Sequence, residues 1–307
     1  MTSGGKSLTQ APKDLKEAID WVLRVSGGDG MWNDTDLLAK ALSDHLQYSS
    51  YKYDAFVGGI FSDIGINAQK PGDGLISRLA TGLKTFIGYQ YTKEKTNYTI
   101  SIGQNGILNP GEIKAKGQAR TSTAYTSAYH GSWFTDVNSG SEENQNIKKK
   151  KAVQCFFTAI EIIFEGLTEL FFNCENGWKN QNLSGSNLKE FMTTKGFSDT
   201  QLNTSITGNQ IIIQAFKDLN EFQKAYNSAG QEPSLDTFRS QLEQNAWSNP
   251  SASPLSELYI LATYAYVQST SPATPSFAGY SGTAALAGGA YGFNLGGIGT
   301  FMSALLA

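Results

Sequence analysis

Apolar positions recur three and four residues apart through most of this 307-residue chain, the spacing of helices that bury one face. In the opening run APKDLKEAIDWVLRVSGGDG (11–30), Leu15, Ile19, Val22 and Val25 form one stripe, and Lys13, Asp14, Lys16, Glu17, Asp20 and Arg24 occupy the other side. This pattern predicts an amphipathic helix with its charges in water, Pro12 in its first turn, and Gly27, Gly28 and Gly30 at its stop. Asp34 or Thr35 is expected to cap a second helix through Leu38, Leu42 and Leu46. Residues 53–66 and 75–89 read as two more, separated by the turn Pro71-Gly72-Asp73-Gly74. From 90 to 141 the periodicity gives way to Thr, Ser, Tyr, Gly and Asn, and a long irregular segment is expected, either an exposed surface loop or a disordered one.

Helical spacing returns after residue 141. Ser139 followed by Glu142 fits a capping box, and the helix it opens is expected to reach Asn173, roughly 50 Å at the usual rise per residue. Its second half is apolar enough to suggest a membrane span, but Glu161, Glu165 and Glu169 recur every fourth residue and draw one acidic edge along it. The reading is a core helix with one wet or partner-facing edge. Two amphipathic helices are expected at 211–226 and 234–244, and after Pro250 and Pro254 an apolar one at 255–267. From Leu258 to Ala307 no charged residue occurs, and Ala284, Gly288, Gly292, Gly296, Thr300 and Ala304 place a small residue at every fourth position. Two readings remain for 283–307: a membrane-associated terminus, or a helix buried as a hairpin against 255–267. The fold class expected is mainly α, an irregular helical bundle with a long central helix and a large irregular loop region. Its divisions are 1–90 (amphipathic helices), 91–141 (exposed loop segment), 142–247 (central helix and bundle) and 248–307 (uncharged helical hairpin).

Composition narrows the chemistry. A hydrophobic share of 40% and an aromatic share of 12% argue for a real core, and a net charge of −3 gives no basic face for nucleic acid. Lys148–Lys151 form a basic run suited to an anionic membrane surface or an acidic partner, or simply to a solvated helix face. Cys155 and Cys174 lie about 28 Å apart on a continuous helix, too far to pair with each other, and read as buried thiols or as sites of intermolecular pairing. The two histidines, His45 and His130, have no nucleophile or ligand cluster beside them in sequence. Gly27-Gly28-Asp29-Gly30 lacks the strand a phosphate loop needs, and Asp29, Asp34 and Asp36 miss the spacing of a calcium loop. No enzyme, cofactor or metal is expected. Asn33, Asn97, Asn182 and Asn203 begin glycan-acceptor triplets, and none is expected to be modified. The first thirty residues carry Lys6, Lys13, Asp14, Lys16 and Glu17 with no apolar run of signal-peptide length, which on its own reads as cytosolic.

The opening run resembles the start of the variant erythrocyte surface antigen family of Babesia parasites. The resemblance continues through SAYHGSWF (127–134), residues 177–205 and 234–282, and the tail GGAYGFNLGGIGTFMSALLA (288–307). It implies a non-enzymatic protein on the surface of the infected red cell, taking part in antigenic variation and in adhesion to the vessel wall. The implied partners are a companion subunit of the same family and a host endothelial receptor, with membrane association through 283–307. Family members are usually longer and carry a cysteine-rich region, coiled coils and an anchor, so the chain is expected to be a shortened, N-terminal-like member. The alternative is a helical binding module, or a truncated family copy, that stays inside the cell.

Overall fold

The computed structural model describes residues 5–27, 33–45, 74–94, 97–113, 127–248, 254–259 and 261–262. Within them the protein is mainly helical, built around one long central helix. The expected helix at 53–66 and the tail at 283–307 lie outside the described residues.

Helix α1 (Leu15–Val25) begins where Asp14, in extended conformation, accepts a hydrogen bond from the amide of Glu17 at 2.9 Å. That places Pro12 ahead of the helix rather than in its first turn. The helix stops at Ser26, and Gly27 follows in the left-handed region at φ +65°, as its position after the last apolar residue predicts. Helix α2 (Thr35–His45) buries Leu38 and Leu42. The carbonyl of Asp34 accepts the amide of Leu38 at 3.0 Å, the amide of Thr35 donates to Asn33 Oδ1, and Asp34 Oδ2 receives the amide of Trp133 at 3.0 Å. Helix α3 (Leu75–Ile87) ends at Gly88, whose φ of +95° turns the chain straight into a strand, so the helix expected to reach 89 stops two residues sooner.

The 90–141 stretch departs most from expectation. Strands β1 (Tyr89–Glu94), β2 (Asn97–Ile102) and β3 (Gly111–Ile113) form an antiparallel sheet in the order β1-β2-β3. Thr, Tyr and Ile are the residues that fit a pleated surface, and their helical aperiodicity was a strand signal. The far end of the stretch is also ordered. Tyr129, Trp133 and Val137 are buried, and Trp133–Val137 form a π-helical turn opened by Ser132.

Central helix α4 (Glu142–Asn173) has 32 residues, and its N-cap is Ser141, which accepts the amide of Asn144. The expected cap Ser139 instead receives Lys148 Nζ at 2.8 Å on both its carbonyl and its hydroxyl oxygen. The helix runs on into a π-helical turn, Cys174–Trp178. From Ala152 onward it is the axis of the core. Gly166 lets α1 approach closely: a Cβ there would sit 3.0 Å from Leu15 Cδ2. Helix α5 (Asn187–Thr194) follows.

The single helix expected at 211–226 is broken. A turn at Gly208–Gln210, closed by a reciprocal cap between Thr207 and Gln210, widens into a π-helical turn at Ile211–Ala215, and helix α6 starts afresh at Glu221–Ser228. The break lets Phe216 and Phe222 both reach Phe171 of α4, with ring centroids 5.1 and 5.7 Å away. A continuous helix presenting a single stripe would not turn them both onto that ring. Helix α7 (Leu235–Ser248) adds Phe238, 5.6 Å from Phe171. Residues 254–259 are helical, and Tyr259 stacks on Phe164 with centroids 3.9 Å apart.

Candidate functional site

Two polar groupings and one exposed block are built into this core. The first surrounds α1. The sequence places its charges in water, but every residue from Leu15 to Val25 is buried, including Lys16, Glu17, Asp20 and Arg24. The segment 127–133 covers them. Asp20 Oδ2 accepts Lys16 Nζ and the amide of Ala128, both at 2.7 Å. Arg24, with no exposed surface, donates Nε to the carbonyl of Gly131 at 2.5 Å, and its guanidinium lies 3.6 Å from Asp34 Oδ2. Tyr129 Oη donates to Gln10 O at 2.9 Å, and Trp21 Nε1 to Leu8 O at 3.1 Å. Lys6 pairs with Glu17 at 2.5 Å. Burial pushes the Asp20 carboxyl up to about 6 in spite of Lys16. At Glu17 burial acts in the same direction, but Lys6 and the Lys13 amide outweigh it and hold the carboxyl below its usual range. The grouping closes the N-terminal segment, α1, α2 and 127–133 into one unit, and its chemistry is that of a clamp. It was missed because the partner segment lies about a hundred residues away. Tyr129 and Trp133, bulky aromatics in a stretch otherwise rich in small polar residues, were the available signal.

The second grouping is the acidic edge of α4. Glu161, Glu165 and Glu169 do share one side, each partly buried, and α7 reaches Glu165. Arg239 of α7 pairs with Glu165 and, at 3.3 Å, with Asp236. Lys195 pairs with Glu169 at 2.8 Å. Glu161 has no cation within ion-pair distance among the described residues, and burial with Glu165 beside it pushes its carboxyl up to about 7. Glu243 of α7 is likewise raised by burial to about 7 in spite of Arg239. The edge therefore meets α7 at Glu165 and the end of α5 at Glu169.

The exposed block begins on the turn after Ser132 and runs through the first turns of α4. Phe134 and Ile147 stand in solvent, and Lys149, Lys150 and Lys151 border Ile147.

The remaining candidates are placed as follows. Cys155 and Cys174 are free and buried, and burial pushes both thiols up to about 12, which leaves them poor nucleophiles. His130 is exposed at the edge of the 127–133 segment, and the side chain of His45 lies outside the described residues. Among the described residues no group of His, Cys, Asp or Glu is placed to hold a metal ion. Asn203 is buried and donates to the carbonyls of Gln104 and Gly106, so the folded protein offers it to no modifying enzyme. Asn182 caps its own turn, accepting the amide of Ser184 at 3.1 Å. No helix among the described residues is long and apolar enough to cross a membrane. Compared with protein-family models, with curated proteins and with solved structures, the chain matches none.

Proposed function

We propose that this protein is a non-enzymatic variant surface antigen of infected red cells, acting in immune evasion and cytoadhesion by presenting surface segments and docking a companion subunit. The observation that carries the reading is the resemblance of 11–30, 127–134, 177–205, 234–282 and 288–307 to the variant erythrocyte surface antigen family. Its physical support is that two of these runs meet in one structural unit: 127–134 lies on 11–27 through Ala128 to Asp20 and Gly131 to Arg24. In this reading the sheet β1-β2-β3 and the turn at 103–106, whose Gln104 and Asn105 are exposed, belong to the displayed face. The interior of the fold then supplies a scaffold rather than a reaction centre.

Protease shaving of intact infected red cells tests it, with an antibody to 177–205 reporting cleavage. Loss of the full-length band with an internal control spared is the expected result. A band that vanishes only after lysis would assign the chain to the alternative, a family copy held inside the cell.

A further inference from the structure

The N-terminal third of α4 overhangs the core. From Ser141 to Lys151 no residue is buried, whereas Ala152 and Val153 enter the core immediately afterwards. Ile147, Lys150 and Lys151 fall on one helical face at i, i+3 and i+4, and Ile147 is 50% exposed. Phe134, on the turn that leads into this helix, is 77% exposed, the largest exposure among the buried-type side chains described. The charges around these two residues are mostly positive. Lys148 is tied down on Ser139, and Lys149, Lys150 and Lys151 have no carboxylate within ion-pair distance among the described residues. Asp136, the nearest acid on the preceding turn, points back into the protein and accepts the amide of Leu8 at 2.8 Å. Glu142 and Glu143 oppose the lysines from the helix start, and four lysines against two glutamates leave the block basic.

We propose that residues 132–151 form a docking surface for an anionic lipid bilayer, with Phe134 and Ile147 as shallow apolar anchors and Lys150 and Lys151, on the face of Ile147, over the headgroups. Charge complementarity selects the occupant: juxtamembrane lysines are drawn to the negative surface of anionic lipid, and isolated exposed apolar side chains gain from entering the headgroup boundary. The two anchors stand on convex structure, a turn and a helix face. A fluid surface accepts such a shape, while a folded acidic partner needs a matching concavity. The inference does not rest on the surface-antigen reading, since any compartment with an anionic leaflet serves.

The test is sedimentation of the full chain with vesicles of phosphatidylcholine, and of phosphatidylcholine mixed with phosphatidylserine. Binding to the mixed vesicles alone is expected, weakening as salt rises. K150Q and K151Q should each reduce partitioning about fivefold, K149Q less, and the triple variant at least about twenty-fivefold. Phe134→Ser should weaken binding further with the lysines intact. These side chains face solvent, so the variants should melt with the wild type, which separates lost docking from lost folding. Equal binding to both vesicle types, no binding to either, or a triple variant that binds like the wild type would each overturn the proposal. Preference for soluble polyglutamate over the mixed vesicles at matched salt would overturn it in favour of an acidic protein partner.

Discussion

On α1, Asp20 and Arg24 enter the interior with their partners: Asp20 meets Lys16 and the Ala128 amide, and Arg24 meets Gly131 O and Asp34. On the acidic edge of α4, Glu165 meets Arg239 of α7, but Glu161 and Glu243 are withdrawn from water without a cation in ion-pair range among the described residues. The first arrangement surrounds its ions with partners through geometry fixed by a distant chain segment, although burial still raises Asp20 to about 6. The second tolerates burial by letting carboxyls take up protons more readily. A buried ion is expensive in both places. In one case the fold supplies partners, and in the other the charge itself is given up over part of the pH range.

The strongest break in this comparison is Arg24→Met. It removes the guanidinium beside Asp34 and the donor to the Gly131 carbonyl inside a packed unit, and removing one member of a buried ionic group typically costs about 3–5 kcal/mol. Denaturant midpoints should show that loss. The double variant R24M/D34N should recover part of it, because the carboxylate charge that faced Arg24 has gone. An unchanged midpoint in the single variant would mean that the guanidinium contributes nothing to holding 127–133 on α1.

Arg239→Ala probes the second region. It leaves Glu165 beside Glu161 and Glu243 with only the more distant Lys195 as countercharge, and a lost hydrogen bond to a charged group costs about 1.5–3 kcal/mol. The loss should be largest at alkaline pH, where all three carboxyls are ionised, and should shrink in acid. Arg24→Met should lack this particular pH dependence, since the Glu161/Glu243 edge is untouched there.

The pH profile sharpens the contrast further. Glu161 and Glu243 have carboxyls at about 7 in the fold against an ordinary value of 4.5. A raised folded value means that the native state binds protons more tightly than the unfolded chain. The associated stability is fully present below about 4.5, is lost as pH rises through about 7, and stays lost above it. Replacing both by Gln should remove part of that decline, on the order of 1 kcal/mol once partial exposure is discounted. Glu221, also near 7, and Asp20, near 6, remain in the variant and keep a residual slope in the same direction. A double Gln variant with the full wild-type slope would assign the decline to those two groups.

These regions also differ in how much of them could be read beforehand. The acidic edge was legible because the i, i+4 repeat of Glu161, Glu165 and Glu169 is local, and a helix of 32 residues carries its periodicity redundantly. The clamp around α1 was not, since its local pattern of apolar and charged positions is that of any surface helix. Only the arrival of 127–133 from far along the chain converts the outer face into an inner one. The sheet at 89–113 was hidden for another reason: Tyr, Thr and Ile in β1 and β2 carried a strand preference that a search for helical spacing passes over. The break within 211–226 is tertiary in origin, set by aromatic packing on Phe171, and nothing in the spacing of Ile211, Ile212 and Ala215 marks it.

The smallest effect expected belongs to a third ion pair, which lies between the two regions and separates side-chain charge from backbone support. Lys195 pairs with Glu169 at 2.8 Å and sits 4.8 Å from the Phe191 ring centre, with both charged groups substantially exposed. Its carbonyl also receives the amide of Lys16 at 3.0 Å, closing an otherwise open donor in the first turn of α1. Lys195→Ala deletes the ion pair and the ring contact and retains the carbonyl. Exposed pairs contribute about 0.2–1 kcal/mol and an exposed cation–π contact about 0.5–1 kcal/mol, so a loss near 1 kcal/mol is expected, smaller in high salt. Hydrogen exchange at the Lys16 amide should then stay as slow, relative to global stability, as in the wild type. Faster local exchange there would show that the side chain, and not the backbone of 195, holds the start of α1, and the clamp would depend on the same exposed electrostatics as the edge of α4.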